Sequence, residues 1–141
     1  MKTYLLDVNV LLALSWPDHH FHDRVQEWFG RHGAKAWATC PMVQAGFVRI
    51  LSNPSFSRRA VTPKEAVDAL AINLQHPGHQ FWPDDISLVA GLGNLGHPII
   101  GHNQVTDAYL LALAVHRRGK LATLDQGIRA WGSDGAVEVI G

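Results

Sequence analysis

The sequence is poor in the residues that mark several broad classes of protein. It holds one cysteine, Cys40, so no disulfide forms within the chain and a reducing compartment is expected. Neither charge is in surplus: 12 Lys and Arg stand against 12 Asp and Glu. The basic excess that accompanies many nucleic-acid binders is missing, which leaves a local basic patch as the route to such a partner. No uninterrupted apolar run approaches the ~18 residues of a membrane span, and Lys2 is not followed by a signal-peptide layout. Gly91, Gly93, Gly96 and Gly101 follow a helical segment rather than a strand, so they make no phosphate-binding fingerprint. There is no internal repeat and no low-complexity linker. These absences point to a soluble, cytoplasmic protein with no membrane partner, in which residues 1–141 form a single domain. Core material, by contrast, is ample: hydrophobic residues make up 47% and charged residues 17%, which argues against disorder.

The chain opens on its most telling stretch, Tyr4-Leu5-Leu6-Asp7-Val8-Asn9-Val10-Leu11-Leu12-Ala13-Leu14. An apolar run too short for a buried helix stops on a carboxylate, and a second apolar run follows. This reads as a strand over Thr3–Leu6 and a helix over Val8–Leu14. Asp18 is then a candidate N-cap for a helix whose inner face is Phe21, Val25, Trp28 and Phe29, with Gly33 at its end. Ala36–Thr39 is a second strand, and Pro41 opens a helix containing Val43, Phe47, Ile50 and Leu51. Thr62-Pro63-Lys64-Glu65 has the layout of a capping box for the next helix. Gln80–Trp82 is a third strand. Pro83-Asp84 starts a short helix over Ile86–Leu92, and the glycine-rich stretch 91–101 is read as loop with room for a turn of helix. Gln104–Arg118 is the clearest helix, with Ala108, Leu111, Ala112 and Val115 inside and Gly119 after it. Lys120–Leu124 is a strand that stops at Asp125, and Val137–Ile140 is the last strand. Strands alternating with helices predict an α/β fold with a mostly parallel sheet covered on both faces.

Three acids occupy positions of one kind. Asp7 ends the first strand, Asp125 ends the strand over 120–124, and Asp107 lies in the first turn of the helix that feeds that strand. In such sheets ligands collect outside the carboxyl ends of the strands. If the two strands are neighbours, the acids meet, repel one another and raise one another's pKa. A cation removes that conflict, and hard oxygen ligands select magnesium or manganese. Such an ion activates water and stabilises charge developing on a phosphodiester. Taken singly, two of the acids have plainer explanations. Asp107 favours a helix N-terminus, with Thr106 as a cap, and Asp125 starts a turn. Asp7 resists this treatment, because an acid between two apolar runs is rarely buried unpaired.

Several segments together resemble a PIN domain, and in particular the VapC toxins of bacterial VapBC toxin–antitoxin modules. They are Leu6-Asp7-Val8-Asn9-Val10-Leu11, Thr39-Cys40-Pro41 with Gly46-Phe47-Val48-Arg49-Ile50-Leu51-Ser52, Val105-Thr106-Asp107-Ala108-Tyr109-Leu110-Leu111-Ala112-Leu113-Ala114, and Thr123-Leu124-Asp125. The resemblance implies a three-layer α/β/α sandwich around a sheet of about four to five strands. It also implies a magnesium- or manganese-dependent endoribonuclease that acts as a toxin, a homodimer, and a VapB-type antitoxin partner. In that pattern Asp7 and Asp107 are the main metal ligands and Asp125 supports them, while Asn9 and Thr106 orient the acids. One position departs from it. Where the family usually carries a glutamate, two residues before Gly46, this chain has Gln44. Glutamine keeps a carbonyl oxygen and loses the charge, which implies a weakened site. The alternative is a catalytically degenerate PIN domain that binds RNA or an antitoxin.

Other features carry less. His19, His20 and His22 read as a solvated helix start ahead of a transition-metal site. Cys40 has no companion for nucleophilic catalysis and reads as a structural thiol. Arg49, Arg58 and Arg59 are candidates for RNA phosphate contacts, which would be salt-sensitive, and equally for surface charge. Trp16 is a candidate groove residue. A haloacid-dehalogenase-type enzyme would need an aspartate where Asn9 stands, and a receiver domain would need a lysine after its last strand.

Overall fold

The apolar run that opens the chain is a strand, β1 (Tyr4–Leu6), and it is the middle strand of a five-stranded sheet. A computed structural model describes residues 2–56, 61–96, 101–131 and 135–141. The sheet order is β3-β2-β1-β4-β5, with β2 (Trp37–Thr39), β3 (His79–Phe81), β4 (Lys120–Thr123) and β5 (Val137–Val139). Every neighbouring pair is parallel, with Leu5 opposite Ala38 on one side and Leu121 on the other. Leu5, Leu6, Ala38, Leu121 and Ala122 are all buried, as the inner strands of a parallel sheet must be when both faces are covered.

The order of the strands determines where the helices go. Passing from β1 to β2 to β3 moves the chain one way across the sheet, and passing from β3 to β4 moves it back past β1. Right-handed crossovers therefore put the connecting helices on opposite faces. On one face are α1 (Val8–Ser15), α2 (His22–Trp28), α3 (Pro41–Leu51) and α4 (Pro63–Asn73), with α1 packed against both α2 and α3, and α3 against α4. On the other, α5 (Leu88–Asn94) packs against α6 (Val105–His116). The result is the three-layer α/β/α sandwich that the resemblance implied. No helix among the described residues is long and apolar enough to cross a membrane.

Local chemistry explains most helix ends. The Thr62 side chain accepts from Glu65 N at 3.1 Å, and the Glu65 carboxylate accepts from Thr62 N at 3.1 Å, a complete capping box for α4. Several boundaries differ from the sequence expectation; the third strand, expected over Gln80–Trp82, is His79–Phe81, and three helix starts move. Asp18 does not cap α2, which begins at His22 after Phe21 and has no side-chain cap. Instead the His19 ring accepts from Phe21 N at 3.0 Å and shapes the turn. The helix expected over Ile86–Leu92 begins at Leu88, because the Ser87 hydroxyl accepts from Ala90 N at 3.1 Å, and it continues to Asn94, into the stretch read as loop. Asp85 is left to pair with Arg117 at 2.6 Å, which ties the start of this connection to the end of α6. Finally, α6 starts at Val105, behind a 3-10 turn over His102–Gln104.

Candidate active site

Strand order reverses between β1 and β4, and this switch point is where open α/β sheets place their ligands. Two of the three acids leave the sheet at this point. Asp7 follows β1, and its backbone N–H donates to Ala122 O of β4 at 3.1 Å. Asp125 follows β4, two residues beyond Thr123.

Asp7 is only 5% exposed. It is also the N-cap of α1, and its Oδ1 accepts from Val10 N at 2.8 Å. Its carboxyl pKa is nevertheless pushed up to about 6. Burial is the largest cause; hydrogen bonds from the Thr123 hydroxyl and Val10 N–H oppose it, and the charges of Asp107 and Asp125 add to it. The capping role is therefore real and does not account for the residue, since loss of water outweighs both hydrogen bonds. Asp107, half-buried in the first turn of α6, is also raised, by burial and then by Asp125. Asp125 is exposed; its Oδ1 accepts from Gly127 N at 2.8 Å, the turn contact expected of an aspartate here.

Thr123 joins these acids, although its residue type alone assigns it no role. It is fully buried at the end of β4. Its hydroxyl bonds to Asp7 and accepts from Asp125 N at 3.0 Å. A buried threonine two residues before the acid, at a strand end, is the signal that marks it. Asn9 and Thr106 are exposed, and among the described residues neither supplies a hydrogen bond to Asp7 or Asp107.

Gln44 stands in the first turns of α3, just past the carboxyl end of β2. Its Nε2 donates to Thr39 Oγ1 at 3.0 Å, and Thr39 Oγ1 lies 2.8 Å from His79 Nε2. Arg49 is exposed on the same helix, roughly 7.5 Å further along and about 140° around the axis from Gln44. Arg58 and Arg59 lie outside the described residues. Trp16 packs near Phe56, with ring centroids 6.4 Å apart, and lines an apolar groove of about 380 Å³ with Phe47, Leu51 and Ile72. That groove lies between α1, α3 and α4, away from the acids.

Cys40 is buried, and burial foremost pushes its thiol pKa up to about 11; the thiol bonds to Asp84. It is therefore not a nucleophile near neutral pH. The histidine triplet is tied up in local contacts: His22 Nδ1 lies 2.7 Å from Ala13 O, His19 caps the turn, and His20 stacks edge-on against Phe21.

The donors at the switch point are all carboxylate oxygens, one of them buried and carrying the repulsion of the other two. That set fits a hard divalent cation and offers nothing to a soft one. Among the described residues no three acid, histidine or cysteine side chains stand close enough to chelate one ion together. Magnesium is held through one or two carboxylates and keeps several waters, so a site of this kind does not require three chelating side chains.

Residues 4–132 match the PIN domain family. The chain is 44% identical to "Ribonuclease VapC39" of Mycobacterium tuberculosis over 138 residues, covering 98% of this chain and 99% of the relative. Among solved structures, it is similar to Mycobacterium tuberculosis VapC20, described as a sarcin-ricin loop cleaving toxin, with a TM-score of 0.67, 16% identity and coverage of 98% and 99% of the two chains. It is also similar to VapBC2 from Rickettsia felis bound to a DNA fragment from their promoter, with a TM-score of 0.65, 16% identity and 99% coverage of both chains.

Proposed function

This chain belongs to the PIN domain family, and on that premise we propose that it is the VapC-type toxin of a VapBC toxin–antitoxin module, a divalent-metal-dependent endoribonuclease. The observation that carries the reading is Asp7: a buried carboxylate, raised to about 6, at the switch point and coupled to Asp107 and Asp125. Such an arrangement is costly to the fold unless a cation shares it. The 44% identity to a ribonuclease over nearly the whole chain supports the activity.

Asp7 and Asp107 would hold the ion, with Asp125 adding negative charge behind them. We propose magnesium, or manganese in its place. When bound, such an ion activates a water and stabilises the charge developing on the phosphodiester. Thr123 keeps the Asp7 carboxylate in one orientation and lowers the pH at which it ionises. Val10 N–H also holds that carboxylate, through Oδ1. Gln44 supplies a neutral amide at the same edge and takes up no proton.

We assign RNA as substrate, a VapB-type antitoxin as partner, and the cytoplasm as location, with residues 1–141 as one PIN domain. A second copy of the chain completes the assembly. The exposed apolar residues Leu88, Val89 and Val115, on α5 and α6, support a face for it. Arg49, Arg58 and Arg59 are proposed contacts for RNA phosphates.

One observation favours a second reading, as a degenerate PIN domain that binds RNA or antitoxin without cutting. Gln44 carries no charge and its amide is engaged with Thr39. RNA cleavage with magnesium, comparing this chain with Asp7→Asn and Asp107→Asn, separates the two. Cleavage that both variants lose supports the enzyme. Cleavage that neither variant alters, or none in any of the three, overturns it.

A further inference from the structure

The glutamine at position 44 looks like a damaged glutamate when only its own chemistry is considered. Its surroundings lead elsewhere. Gln44 Nε2 donates to Thr39 Oγ1 at 3.0 Å, and the same oxygen lies 2.8 Å from His79 Nε2. Thr39 is fully buried, and the Trp37 ring packs tilted at 57° against the His79 ring, 4.7 Å between centroids. A hydroxyl has one proton to give. Because Gln44 donates to Thr39, that proton is free to go to His79 Nε2, and the relay proposed below takes the ring in this acceptor tautomer. The Leu74 backbone favours a proton on the ring, and in that tautomer the proton sits on the other nitrogen. Gln44 Nε2, Thr39 Oγ1 and His79 Nε2 are all satisfied with His79 neutral.

We propose that Thr39 and His79 are positioning residues for Gln44, and that this hydrogen-bond relay, running from Gln44 through Thr39 to His79, is built for glutamine rather than glutamate. The inference rests on the active-site reading above. A glutamate at 44 reverses the relay. Its carboxylate only accepts, so Thr39 must donate to it, and His79 Nε2 must then carry a proton to give to Thr39. The ring keeps its bond to Leu74 as well only by becoming an imidazolium. Burial, followed by the neighbouring His76, the titratable group that faces it, disfavours that charge. Glutamate at 44 is thus coupled to a protonated His79 across one hydroxyl, and the simple expectation that Gln44→Glu restores a stronger site fails near neutral pH.

The test is ¹⁵N NMR of the histidine rings in the intact chain, with Gln44→Glu, Thr39→Val and their combination, assigned through His79→Gln. In the natural chain His79 shows a neutral ring with Nε2 unprotonated at pH 7. Gln44→Glu raises its titration midpoint by about one pH unit or more, and adding Thr39→Val abolishes that rise. In RNA cleavage, Thr39→Val lowers kcat with KM little changed, and Thr39→Ser, which keeps the hydroxyl, restores it. A His79 titration indifferent to Gln44→Glu, or equal kcat in Thr39→Val and Thr39→Ser, overturns the proposal. Failure of the nuclease reading shows separately, as cleavage insensitive to Asp7→Asn, while the ring titration still reports on the relay.

Discussion

Gly46 of α3 lies against Val8 of α1, so close that a β-carbon at Gly46 would come within 2.7 Å of Val8 Cγ2. Val8 is the residue after Asp7, and Gly46 is two residues after Gln44. The absent side chain is therefore what brings the β2–α3 turn, with Gln44, up to the β1–α1 turn, with Asp7.

Gly46→Ala tests that approach. In an open helix the change would stabilise by up to about 1 kcal/mol. Here the new methyl meets a β-branched side chain with little rotamer freedom, and overpacking of this kind costs about 1–3 kcal/mol. The clash should win: the melting temperature falls and RNA cleavage falls with it. Adding Val8→Ala should recover both. Unchanged melting and cleavage in Gly46→Ala would show that α3 and α1 are not held at this distance.

The acid cluster makes a signed prediction about pH. Asp7 titrates at about 6 in the folded chain and near 3.9 unfolded. Between those values the folded state holds more protons than the unfolded state, so stability falls as pH rises and stays low above pH ~6. The loss is about 3 kcal/mol at most. Without added metal, the chain should be more stable to urea at pH 5 than at pH 7. Asp7→Asn should remove most of that dependence and stabilise the metal-free protein at pH 7 while abolishing cleavage. A mutant less stable than the natural chain at pH 7 would mean that the capping bond to Val10 outweighs the burial of charge.

Thr123 sets where that titration falls. Its hydroxyl lowers the Asp7 pKa, so Thr123→Val should raise it by about one pH unit and shift the pH dependence of manganese binding upward by a similar amount. Thr123→Ser should behave as the natural chain. Calorimetric titrations between pH 5.5 and about 8 check this, and identical profiles for the valine and serine variants would remove Thr123 from the site.

These partners also show where the sequence is legible. β1, β2 and β4 announce themselves because a strand buried on both faces is a continuous apolar run, and α4 because its capping box is local. Asp7 can be picked out because a carboxylate between two apolar runs has few bland explanations, whereas Asp107 and Asp125 have plain local readings singly and gain weight only as members of a set with it. The supporting residues are different. Thr123 reaches Asp7 across more than a hundred residues of chain, His79 meets Thr39 across forty, and Gly46 matters only because Val8 is opposite. A buried threonine and a helical glycine have ordinary local readings, and the pairing that gives them a role exists only after the sheet assembles. The two misplaced helix starts have the same origin in reverse. Asp18 and Asp84 have the right side chains for caps, and the chain takes its turn elsewhere, through His19 and Ser87.

Metal removal and return give the last prediction. The three acids repel in the metal-free chain, and on the proposed function an ion should bind the folded site far better than the dispersed acids of the unfolded chain. A divalent cation therefore stabilises by RT ln(1 + [L]/Kd), about 2.7 kcal/mol at a hundredfold excess over Kd. Chelator should stop RNA cleavage and lower the melting temperature at pH 7; magnesium or manganese should restore both, and calcium should restore stability ahead of cleavage, because its looser coordination orients water less strictly. At pH 5 the thermal shift should shrink, since Asp7 is then largely protonated and must lose its proton to bind. Asp7→Asn should lose the shift at both pH values. A magnesium-induced shift of the same size at pH 5 and pH 7, or one that survives Asp7→Asn, would place the ion somewhere other than the switch point of the sheet.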